Sequence, residues 1–132
     1  MQHGRPGGPI CDPNGPDSAI AGTAAPLPGE SVIIKKLPSS FANTTLDVAL
    51  KKLGRTHLIV VGFMTHKCVS TTVRAALDRG YRCTVIAAAC ATRDLPDGRG
   101  GIVPAALVHR ANLAALADRF ARVVETVDEI PD

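Results

Sequence analysis

Tryptophan is absent from these 132 residues, and one Tyr and three Phe are the only other large aromatics. There is little here to stack on bases. The 15 Lys and Arg are scattered, offset by 12 Asp and Glu to a net charge of +3, so the chain lacks the basic footprint of a nucleic-acid partner. No apolar run approaches the roughly 20 residues that span a bilayer, so no membrane partner is expected. The opening MQHGRPGGPI has no apolar stretch of the kind that makes a secretory leader. A cytoplasmic location is expected, with Cys11, Cys68, Cys83 and Cys90 as reduced thiols. No pair of them is spaced CxxC, and His3, His57, His66 and His109 form no ligand pattern, so no metal is expected.

A chain of this length that is 45% hydrophobic and 20% charged suits one domain with a true core. Residues 1–30 differ from the rest, because they hold 6 of the 12 Gly and 6 of the 10 Pro. They read as a long irregular segment with tight turns and one short helical turn near 17–30. Such a segment in a compact domain is usually functional or attached to something else. From residue 31 the pattern is regular. SVIIKK (31–36) predicts a strand, and NTTLDVALKKLG (43–54) a helix with Leu46, Leu50 and Leu53 on one face. HLIVVGF (57–63) is continuously apolar, as a strand covered on both faces must be. A helix over 69–80, a strand over 83–89, a helix over 104–120 with Pro104 in its first turn, and a strand over 121–127 complete the order. This β-α-β-α-β-α-β alternation predicts an α/β fold, a parallel sheet with helices on both faces, in a single domain.

Ligands in open parallel sheets sit at the carboxyl ends of strands. Cys68 follows the strand at 57–63 and stands where the next helix begins. A helix N-terminus presents free N–H groups and the positive end of its dipole, and both favour a thiolate. The same N–H groups could hold an oxyanion, and His66 and Lys67 adjoin. Position alone leaves two readings open: a nucleophile, or a small buried residue, which cysteine often is. Cys83 and Cys90 lie in or beside an apolar strand and read as core. Thiol redox chemistry would need a resolving cysteine close in sequence, and none is present.

Several motifs in order resemble one family. VVGFMTHKCV carries G-x-x-T-x-x-C-V, the following helix ends in A-x-x-x-G-Y (Ala76 to Tyr81), and AACAT matches a D-A-x-A-T segment except that Ala88 replaces its Asp. Upstream, residues 35–46 carry K-x-x-x-S-x-F-x-x-T-x-L. Over roughly residues 26–127 the chain is thus similar to the isochorismatase-like cysteine hydrolases, which include isochorismatases, nicotinamidases and N-carbamoyl amide hydrolases. The resemblance implies a three-layer αβα fold with a parallel sheet of Rossmann-like order, no cofactor, a small-molecule substrate, and assembly as a homo-oligomer. It implies Cys68 as nucleophile and Lys35 as its charged partner. Backbone N–H groups of Met64 and Cys68 would form the oxyanion hole, with a cis peptide at Phe63–Met64. Thr65 would brace the turn, and Thr65 and His66 would lie within reach of substrate.

The resemblance also implies an aspartate at the end of a first strand, in a D-x-Q segment, and nothing in this sequence matches it. Asp12 and Asp17 lie in the Gly/Pro segment. The chain is therefore expected to be N-terminally truncated relative to the family, lacking the first one or two strands. Lys35 and Cys68 are expected on opposite sides of a gap about 10–15 Å wide. The sequence then supports two functions. One is a cysteine hydrolase acting on an amide-like or related C–N or C–O bond through a thioester. The other is a catalytically inactive relative serving as a binding or oligomerising module.

Overall fold

The computed structural model of the chain describes residues 1–4, 7, 12, 14–15, 19–20 and 22–130. Strand β1 (Gln2–His3) pairs in parallel with β2 (Ile34–Lys35), His3 opposite Lys35. Helix α1 (Leu46–Lys52) follows, then β3 (His57–Phe63), a π-helical turn (Thr65–Val69) and α2 (Ser70–Leu77). Next come β4 (Arg82–Ala91), the short antiparallel pair β5 (Leu95–Pro96) and β6 (Ile102–Val103), α3 (Ala105–Arg119) and β7 (Arg122–Val124). Strands β3, β4 and β7 form a parallel sheet in that order, as expected of an α/β fold. The segment at 31–36 does not join it. Only Ile34 and Lys35 are strand, and they pair with β1, a strand not foreseen in the Gly/Pro segment.

The core lies where α2 packs on β4 and α3 on the neighbouring β7. Val73, Val85 and Leu116 are fully buried there, with Val69, Ala76, Cys83 and Leu113 around them. The expected apolar stripe on α3 holds: Leu113 and Leu116 are buried and Phe120 packs against the cluster. The stripe on α1 holds for Leu46 and Leu50 but fails at Leu53, which lies past the helix end and is 68% exposed. Helix α2 stops where Gly80 takes φ +82°, a conformation costly for a side-chain-bearing residue. Tyr81 N–H then donates back to Ala76 O. Pro104 does not enter the first turn of α3 but precedes it as the capping residue, and the Asp94 carboxylate accepts the Ala105 N–H at 2.7 Å.

Strand β3 meets the expectation for its span but not for its burial. Among the described residues it is at the edge of its sheet, and Ile59, Val61 and Phe63 on one face are exposed. Near its end the register jumps, with Val60 opposite Val85 but Gly62 opposite Cys90, so β4 bulges outward over residues 86–89. Gly62 accommodates the irregularity with φ +119°. Among the described residues, no helix is long and apolar enough to cross a membrane.

Candidate active site

The ends of β2 and β3 bring Lys35 and Cys68 together. Lys35 Nζ is 3.3 Å from Cys68 Sγ, so the expected gap does not separate them: the lysine side chain reaches across. Lys35 is the last residue of β2 and only 5% exposed. A buried ammonium needs acceptors for all its protons. Leu37 O, Pro38 O and His3 Nδ1 each lie 3.0 Å from Nζ. Among the described residues none of these partners is a carboxylate. Asp12, described in the Gly/Pro segment, accepts the Gly7 and Asn14 N–H groups in its own loop. Asp17 and Cys11 lie outside the described residues.

Why the lysine sits there follows from the residues after it. Thr72 Oγ1 on α2 accepts the Ser40 N–H at 3.0 Å and lies 3.1 Å from Ser40 Oγ, and the Thr44 hydroxyl donates to Ser40 O. Phe41 stacks on Tyr81 with centroids 5.7 Å apart, and the Tyr81 hydroxyl donates to Asp47 on α1. These contacts hold residues 39–47 against α2 and the start of β4, and so aim Lys35 at the turn after β3.

That turn carries the thiol. The Phe63–Met64 peptide bond is cis. The helical segment then opens as a wide turn in which the N–H groups of Lys67 and Val69 both donate to Met64 O, with Cys68 between them. Cys68 therefore stands inside this π-helical turn, and regular α-helix begins only at Ser70. Thr65 is fully buried. Its Oγ1 is 3.1 Å from Ala91 O at the end of β4 and 2.8 Å from His109 Nδ1 on α3. With no accessible surface and both hydrogen-bond contacts internal, Thr65 fixes the turn. His66 is half-buried with Nδ1 2.5 Å from Thr92 Oγ1. Burial, followed by the charges of Arg93 and Lys67, holds its pKa below the usual imidazole range.

The thiols differ sharply in setting. Cys68 is half-buried at the carboxyl edge. Cys83 is in the core, where burial pushes its pKa up to about 11, and burial also raises that of Cys90. His3 and His109 were not singled out by the sequence. A lone histidine has no spacing to read, and their partners lie 32 and 44 residues away. Among the described residues no group of His, Cys, Asp or Glu could hold a metal ion.

Comparison with known proteins adds an independent line. Residues 1–128 match the isochorismatase domain. The chain is 43% identical over 114 residues to the uncharacterised isochorismatase family protein YddQ of Bacillus subtilis, covering 86% of this chain and 63% of that one. It is 38% identical over 117 residues to a streptothricin hydrolase of Streptomyces noursei, covering 87% and 46%. An isochorismatase crystal structure from Pseudomonas putida superposes with a TM-score of 0.91 at 46% identity, covering 98% of this chain and 66% of that one. The chain thus spans less than two thirds of the length of each of these proteins. With the domain match running nearly end to end and the fold superposing on a family structure, the chain belongs to the isochorismatase family.

Proposed function

We propose that Cys68 is the nucleophile of a hydrolase acting on an amide-like or related C–N or C–O bond of a small molecule. The observation that carries this reading is the 3.3 Å approach of Lys35 Nζ to Cys68 Sγ at the carboxyl edge. An ammonium at that distance favours negative charge on sulfur. The thiolate attacks the substrate carbonyl carbon, and the oxyanion takes hydrogen bonds from the N–H groups of Met64 and Cys68. The amine or alcohol leaves with a proton, and water cleaves the thioester to release the acid and restore the thiol. One relative is named as a hydrolase of streptothricin, which supports hydrolysis as the reaction class.

A second reading, a binding or oligomerising module without turnover, is favoured by one observation. The partners of Lys35 among the described residues are two carbonyls, an imidazole and the sulfur, with no carboxylate to act as base. General-base assistance is worth about 10²–10⁴-fold.

Both readings are tested by mixing the 132-residue chain with p-nitrophenyl acetate and, separately, with a panel of small amides. An acetyl group on Cys68, seen by mass spectrometry and absent from Cys68→Ala, is the expected result, with Cys83 and Cys90 unmodified and amide turnover weak. Acylation that persists in Cys68→Ala overturns the nucleophile assignment. Robust amide turnover abolished by the same substitution excludes the inert module.

A further inference from the structure

We propose that His109 is a positioning residue for the turn that carries Cys68, an inference that rests on Cys68 being the nucleophile. The Thr65 hydroxyl has one proton to give, yet it stands within hydrogen-bond distance of both Ala91 O (3.1 Å) and His109 Nδ1 (2.8 Å). Both contacts are satisfied when the hydroxyl donates to Ala91 O and accepts from His109 Nδ1–H. One fully buried oxygen then joins three elements: the turn, the end of β4 and α3.

Thr65 is the first residue of the turn and stands three positions before Cys68. Its neighbour His66 makes a parallel tie to Thr92, just past β4. The turn is thus fastened twice to the end of β4, but only the Thr65 tie reaches α3, through His109. Without the Nδ1–H donor, the buried Thr65 oxygen has no donor among the described residues, and the turn keeps its apolar packing on α3 but loses its side-chain hydrogen bond to it. Burying an unsatisfied oxygen is costly, so the turn relaxes to hydrate it.

The test uses His109→Leu, which removes the donor, and His109→Asn, whose side-chain amide nitrogen can donate from nearly the place of Nδ1. Two readouts are taken: hydrogen–deuterium exchange of the peptide spanning 64–70, and the iodoacetamide alkylation rate of Cys68. His109→Leu is expected to raise exchange in that peptide several-fold and slow alkylation several-fold, and His109→Asn to return both toward wild type. Unchanged exchange in the Leu variant, or an Asn variant as impaired as the Leu one, overturns the inference. Thr65→Val guards against a Leu variant that fails to fold. It should produce the same local change, and adding it to His109→Leu should produce little more, because both act through one oxygen. Fully additive effects also overturn the inference. A wild-type Cys68 alkylated no faster than Cys83 and Cys90 would instead sink the nucleophile reading, and the exchange data would still decide the role of His109.

Discussion

Four acceptors surround the Lys35 ammonium, which has only three protons to donate. One proton must be shared, and the longest of the four contacts is the one to Cys68. His66 sits on the same turn and gives a pH prediction with a definite sign. Its folded pKa lies below the unfolded value of about 6.5, so the unfolded chain takes up the proton first as pH falls. Its contribution to stability is full above pH ~6.5 and is lost as pH falls through the folded value. An NMR titration should place the His66 midpoint below 6.5, and a midpoint at or above that value contradicts the burial argument. At this scale the sequence was legible where residues come in spaced sets. Lys35, Ser39, Phe41 and Thr44 form one block and Thr65 and Cys68 another, and each block folds as a unit. His3 and His109 were not legible, because what they do is decided by neighbours far off in the chain.

Elements were legible in proportion to their length and periodicity. Helix α3 and strand β4 carry enough apolar residues to announce themselves, and both occur within a residue or two of their expected starts. Strand β1, with two residues in a Gly/Pro-rich stretch, has no period to detect. The expected strand at 31–36 shrinks to two residues because its ladder partner among the described residues is that same short strand. The turn at Thr65–Val69 escaped notice for another reason: a wide helical turn and a regular one have the same composition, and only the backbone hydrogen bonds tell them apart. Packing makes a matched pair of predictions. Leu116 is fully buried between α3 and the sheet, so Leu116→Ala should lower the unfolding free energy by about 2–5 kcal/mol. Leu53 is exposed beyond α1, and Leu53→Ala should change it by no more than about 0.5 kcal/mol. Urea titrations of the two variants check both, and equal losses would mean the core is misplaced.

At the scale of the whole molecule, the row Ile59, Val61 and Phe63 stands exposed on a strand that, among the described residues, forms the edge of its sheet. Edge strands with apolar faces associate. We expect the chain to self-associate as its concentration rises, and Val61→Lys to shift it toward the monomer. Size-exclusion chromatography with light scattering reads both, and a wild-type chain that stays monomeric at high concentration refutes the expectation. Homo-oligomer formation was expected from the resemblance alone. This exposed row was not legible beforehand, because continuous apolarity reads the same whether a strand is covered or bare. The two parallel ladders have a further consequence. Among the described residues they are separate sheets, and Lys35 belongs to the smaller one while Cys68 belongs with the larger. A ladder of two residues per strand opens at a smaller free energy than a packed sheet. When it opens, the lysine leaves and the thiol stays. On the proposed role of Cys68, loss of reactivity and loss of fold therefore come apart: gentle heat or dilute denaturant would disarm the cysteine while the three-stranded sheet still stands.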